Sequence, residues 1–322
     1  MKLQKEYIIL TAVICVLVLI LVVSSDRNKM SYKLPKTEKL ESDLITQVEI
    51  YTNKESILIQ KSQNEWLIVP QRYKADADKV NEMLDVIENL TLTELVSDKK
   101  NYSRYELDEE KRIQIKAFKD DELIREFFIG KASSTYSHTY VKLSDSSHVF
   151  HARDSFRSTF ETNVSELRDK SVMEFLKEEI TGLVLAGEFG SLELKKQLKQ
   201  VKPDVKEPED ENEIQPPEEE VWLTQDEKQV KTSEVNSILS KLSSLNCDSY
   251  LDEQEKKNLK NPVYSIIAKG SKDYKLEIYS NEEKEEYPAL SSESEYPFWL
   301  TKWTAESLMK KPEDIIEEKT ED

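Results

Sequence analysis

The sequence predicts an α+β protein: two tandem related modules, each a mainly antiparallel sheet covered by one main helix, after an N-terminal transmembrane helix. Three observations carry that expectation. The stretch from Trp66 to Asp98 is written a second time from Trp222 to Asp252. Short runs of alternating apolar and polar residues flank both copies, and an uncharged apolar run stands near the start. After the first tryptophan come Val80, Leu84, Ile87 and Leu90; after the second, Val235, Leu239, Leu242 and Leu245. Both sets step by four, three and three, one face of a helix in each case.

The elements follow in chain order. Residues 1–6 form a short N-terminus, expected to be cytoplasmic. Residues 7–23, Tyr7 to Val23, carry no charge and would give roughly 25 Å of helix, the short end of what crosses a bilayer. That run exceeds the apolar part of a signal peptide, about 7–15 residues, and Val22-Val23-Ser24 is a poor cleavage site. Lys2 and Lys5 precede it, while Arg27, Lys29, Lys33, Lys36 and Lys39 follow. Large domains translocate largely regardless of such charges, so the bulk of the chain is expected outside the cytoplasm. Residues 24–43 are polar and read as a stalk.

The first module is expected over 44–172. Ile45 to Ile50, Ile57 to Ile59 and Trp66 to Val69 read as a three-strand meander that Pro70 ends. Asp76 or Asp78 caps the helix carrying Val80. Further strands are expected at Arg112–Phe118, Leu123–Ile129, Thr139–Leu143 and His148–His151, with Phe156 and Phe160 on a closing helix. The second module spans 173–311, with strands at Leu183–Leu185, Leu192–Leu194 and Val221–Leu223. Thr232 or Ser233 caps its helix, and strands follow at Val263–Ala268 and Lys275–Tyr279. Trp299 and Trp303 repeat the spacing of the two phenylalanines. Residues 201–220 are rich in Pro and Glu and occupy the place of the 62–65 turn, so they read as an acidic hairpin insertion. Residues 312–322 are expected to be an acidic disordered tail.

Composition excludes several functions. A formal charge of -18 and a pI near 4.9 oppose nucleic-acid binding, which needs clustered cations. The five glycines, at 130, 182, 187, 190 and 270, assemble no phosphate-binding loop, so no nucleotide is expected. Cys15 and Cys247 form no Cys-x-x-Cys motif. His148 and His151, three apart on a strand, point to opposite faces, so with His138 they make no expected metal site. Ser97–Lys100 and Ser307–Lys310 fit Ser-x-x-Lys, but the companion motifs of penicillin-recognising enzymes are absent. No catalytic, cofactor-binding or metal-binding residues are therefore expected. One cluster invites a functional reading: Tyr287, Tyr296, Phe298, Trp299 and Trp303. These residues form either an exposed protein-docking patch or the closure of the second core.

Trp66, Pro70, Ala75-Asp76, Val80 and Leu84, then Val96-Ser97-Asp98-Lys99-Lys100, Tyr105 and Leu107, Ile129-Gly130-Lys131 and Leu167-Arg168-Asp169-Lys170 carry a resemblance. In that order and spacing they resemble the bacterial domain-of-unknown-function family 4340, well over Leu44 to Val172 and more loosely beyond. The resemblance implies a membrane-anchored envelope protein associated with ABC-2-type or gliding-motility-like transport systems, and it transfers no catalytic residue. The expected function is a non-enzymatic accessory protein on the bacterial cytoplasmic membrane, single-pass. It would present a duplicated extracytoplasmic domain to an ABC-type transporter or envelope assembly, its partner a multi-span permease or other envelope protein. The alternatives are an envelope glycan- or peptide-binding module and a hydrolase with an unrecognised site.

Overall fold

Period-two alternation drives most of the chain into strands. Val48 and Ile50, Ile57 and Ile59, Trp66 and Ile68 are buried, and the residues between them are not, as in a sheet with one well-covered face. The computed structural model describes residues 7, 10, 13–19, 33–37, 39–200, 218–252, 257, 259–281 and 285–317. The chain falls into two compact units, 1–167 and 168–322.

The first unit holds β1 (Gln47–Tyr51), β2 (Ser56–Ser62), β3 (Glu65–Val69), β4 (Tyr73–Lys74), β5 (Leu92–Ser97), β6 (Ile113–Lys119), β7 (Glu122–Ala132), β8 (His138–Leu143) and β9 (Val149–Arg153). They form one sheet in the order β4-β3-β2-β1-β6-β7-β8-β9-β5, every pair antiparallel. Helix α1 (Ala77–Asn89) covers one face, placing Val80, Met83, Leu84 and Ile87 in the core. Asp76 caps it, its carboxylate accepting from the Asp78 and Lys79 amides at 3.1 and 3.2 Å. Two single-turn helices, α2 (Arg157–Phe160) and α3 (Val164–Leu167), close the unit with Phe160 and Leu167 fully buried. The opposite face carries a smaller core of Tyr105, Leu107, Phe128 and Val149 under the 3-10 turn Tyr102–Tyr105. Part of the expected stalk belongs to this unit. Leu34 and Leu40 pack on its core, the Thr37 hydroxyl donates to the Leu90 carbonyl, and Lys39 Nζ lies 3.4 Å from Glu88.

The second unit holds β10 (Ser171–Glu174), β11 (Gly182–Gly187), β12 (Gly190–Gln200), β13 (Glu218–Thr224), β14 (Ser244–Asn246), β15 (Ser249–Tyr250), β16 (Tyr264–Lys269), β17 (Asp273–Ile278), β18 (Glu286–Ser291) and β19 (Phe298–Thr301). Its main sheet runs β13-β12-β11-β16-β17-β18-β19-β15, and β10 pairs with β14 in a third sheet. Position for position this is the first order with β4 left off. Helix α4 (Thr232–Leu242) buries Val235, Ile238, Leu239 and Leu242; Leu245 joins the same core from β14. The helices α5 (Lys302–Leu308) and α6 (Pro312–Ile315) close the unit. Neither Thr232 nor Ser233 caps α4: the cap position is Lys231, without a side-chain bond. The Lys231 amide instead donates to Ile315 O at 2.8 Å, as the Asp76 amide donates to Leu167 O at 2.8 Å in the first unit.

The expected fold class needs correcting. Among the described residues 42% lie in strands and 23% in helices, so the architecture is mainly antiparallel β. Alternation persists from Ile113 to Arg153 and extends the first sheet to nine strands, while helical periodicity lasts only 13 residues in α1 and 11 in α4. The transmembrane helix of the expected fold is overturned too: no helix among the described residues is long and apolar enough to cross a membrane. Of residues 7–23 the structure describes Tyr7, Leu10 and 13–19. That last stretch is helical over about 10 Å, a third of a bilayer's hydrocarbon thickness. The expected N-terminus 1–6, the rest of 7–23, part of the stalk, residues 201–217 of the acidic insertion and the tail from 318 lie outside the described residues.

Candidate functional site

The aromatic cluster at the end of the second unit separates by strand alternation. Tyr287 on β18 is 8% exposed and Phe298 on β19 fully buried; both belong to the core. Tyr296 and Trp299 are half-buried. Trp303, on the first turn of α5, is 73% exposed, with Lys241 Nζ of α4 at 4.9 Å from its ring. The ammonium steadies the indole without covering it, the geometry of a cation–π contact. Within this cluster, Trp303 alone offers most of a large ring to a partner.

Behind that corner lies a stacked cation. The Arg168 guanidinium, 8% exposed, sits 3.3 Å from the Tyr250 ring centre and 4.3 Å from that of Tyr296. Tyr250 donates to Asp169 O at 2.8 Å, and Lys170 Nζ donates to Asp248 O at 2.7 Å. The Leu-Arg-Asp-Lys segment thus anchors the opening of the second unit. Burial pushes the Tyr250 phenol well above its usual value, with Cys247 adding to the rise, and burial pushes the Cys247 thiol up to about 11. A thiol held that high is protonated and unreactive at neutral pH.

Two further places hold clustered polar chemistry, both in the first unit. At one end of the sheet a cleft of about 550 Å³ is lined by Lys54, Lys111, Arg112 and Arg157 together with Glu106, Glu110 and Glu161. Arg157 is fully engaged there, donating to Lys111 O at 2.8 Å and lying 3.6 Å from Glu161. On the outer face, His138 and His151 stack with ring centres 5.2 Å apart, and Tyr140 lies 4.8 Å from His151. Sequence reasoning compared His148 with His151 and missed this pair. The signal was available in the β8–β9 hairpin, whose register sets Tyr140 opposite His151 and brings His138 diagonally beside it.

Neither Ser-x-x-Lys segment forms a nucleophile with its base. Ser97 Oγ bonds the Lys99 backbone, Ser307 Oγ donates to Thr304 O, and Lys310 pairs with Glu234 at 2.9 Å. Among the described residues no group of three metal-ligating side chains converges.

A model described as a domain of unknown function, DUF4340, matches residues 66–262, from the start of β3 through β15 and across parts of both units. No curated protein and no solved structure matches the chain.

Proposed function

Because the chain belongs to the DUF4340 family of domains of unknown function, and because its second unit offers Trp303 to solvent, we propose a protein-docking role without catalysis. In this reading the chain is an accessory protein that presents its two β units outside the bacterial cytoplasm to a larger partner. That partner is an ABC-type transporter or another envelope assembly. The carrying observation is the 73% exposure of Trp303 beside Lys241. Tryptophan is the residue most enriched where binding energy concentrates, and leaving such a ring in water serves no core. The test is a photo-crosslinking amino acid placed at position 303 of the full chain in living bacteria. The reading expects one dominant adduct with a multi-span transport protein. A diffuse ladder of adducts, or none, would contradict it.

The cleft of the first unit supports a second reading, an envelope peptide- or glycan-binding module. Its mixed lining of Lys54 and Lys111 against Glu106 and Glu110 suits a ligand carrying both charges and many hydrogen-bonding groups. Thermal unfolding of the full chain with soluble peptidoglycan fragments decides it. A rise in Tm that Lys111→Glu abolishes supports this reading; an unchanged Tm at millimolar fragment removes it.

A further inference from the structure

The His138–His151 stack sits beside an irregularly paired edge of the first sheet. His151 lies on β9 between two partners in register, Tyr140 on β8 and Glu94 on β5. Strand β5 is the edge of the sheet and pairs only with β9. Its register breaks on both sides of this point, between Leu92 and Glu94 and between Leu95 and Ser97. Few regular ladder bonds therefore hold Glu94 against β9.

The ring itself is poorly prepared for a second proton. His151 Nδ1 lies 3.6 Å from a Glu94 carboxylate oxygen, while Nε2 is buried with no hydrogen-bond partner. The neutral tautomer that fits carries its proton on Nδ1 and leaves Nε2 as a bare acceptor. A proton added at Nε2 would be buried, unpaired and stacked on His138. The groups around it are Glu94 on β5, His138 and Tyr140 on β8, and Tyr105 from the covering 3-10 turn, whose ring is 4.9 Å from Tyr140. Arg153 lies two residues along β9, in register with His138. Lys142, two beyond Tyr140, is held over Phe128 at 4.3 Å, with Arg112 on the same ring at 4.7 Å. Only Glu94 is anionic, and it rides on the loosely paired strand.

We propose that His151, stacked on His138, is an acid-sensitive latch: proton uptake at Nε2 as pH falls below neutrality releases the edge strand Leu92–Ser97 from β9. Release frees the His151 ring to turn its Nε2–H to water and uncovers the free edge of β9 for pairing with another strand. The second unit supplies an internal control. Trp299 occupies the place of His151, between Pro288 on β18 and Ser249 on β15, so nothing titrates at that position.

Hydrogen exchange on the full chain at pH 7.5 and pH 5.0, corrected for intrinsic rates, tests the latch. Peptides covering 92–97 should lose at least about tenfold protection at the lower pH, while those covering β1 and β15 hold theirs. His151→Phe, which keeps a ring without a titrating nitrogen, should retain protection at both values. Unchanged exchange at 92–97, or an equal loss in His151→Phe, overturns the proposal. If that variant does not fold, His138→Gln serves: removing the neighbouring imidazole, which opposes the proton on His151, should move the loss to higher pH, and an unmoved midpoint contradicts the latch.

Discussion

A β-carbon added at Gly130 would stand 2.2 Å from the Tyr105 carbonyl oxygen and 3.0 Å from Leu107. The clash is with backbone, so it cannot be relieved by rotating a side chain, and the Ile-Gly-Lys segment has a steric cause. Gly130→Ala should lower stability by about 1–3 kcal/mol, the usual cost of overpacking, and should loosen the 3-10 turn that carries Tyr105. Urea unfolding measures it, and an effect below about 0.5 kcal/mol would show that the turn gives way freely. His151 makes a second prediction at this scale. Burial first, and then His138, depress its pKa below the ordinary 6.5, so the unfolded chain takes up the proton first. Its stabilising contribution is therefore present above about pH 6.5 and is lost as pH falls from there toward the folded value. His151→Phe should flatten that part of the stability profile of the first unit. Residue roles were unevenly legible in the sequence. Val80, Leu84, Ile87, Val235, Leu239 and Leu242 are buried as their spacing requires. Trp299 and Trp303 do not stand as Phe156 and Phe160 do: Trp299 is half-buried on β19 and Trp303 exposed on α5, whereas Phe156 and Phe160 are both buried at the start and end of α2. Equal spacing matched the wrong pair once the closing helices differed in length.

Helix starts show how far local chemistry goes at the scale of elements. Asp76 is a good cap by residue type and acts as one; Thr232 and Ser233 are equally good by type, and neither does. The backbone bond to the closing helix is the same in both units; the difference is where the helix begins, since the chain is already helical at Thr232 and the cap position falls on Lys231. Asp76→Ala should therefore cost about 1 kcal/mol, whereas Thr232→Ala should stay within about 0.5 kcal/mol; equal losses in denaturant melts would contradict this assignment. The hairpins diverge in a related way. Lys61 pairs with Trp66 and Lys196 with Trp222, but the second ladder continues to Gln200 opposite Glu218, where the first ends at Ser62 opposite Glu65. Strand alternation was legible in most of the long strands. Those that escaped are the short β4, β10, β14, β15 and β19, two to four residues long and too brief to show a period, together with β5 and β18, six residues each, whose burial does not alternate.

On the scale of the whole molecule, two units share one strand order while their surfaces have diverged. The cores keep the same scaffold: a tryptophan on the third strand, a helix across the sheet and a short closing helix whose last residue accepts from the start of the main one. The outer faces differ, with imidazoles and Glu94 on the first and Trp299 on the second. The docking role proposed above is assigned to the second unit because Trp303 lies there. Splitting the chain between Leu167 and Arg168 tests it most directly, by following the thermal unfolding of each half and its capture of the partner crosslinked at position 303. The account predicts a cooperative transition and β-sheet circular dichroism from each half, with the partner retained by the second half and lost on Trp303→Ala. A half that stays unfolded alone, or a partner held only by the first, would contradict it.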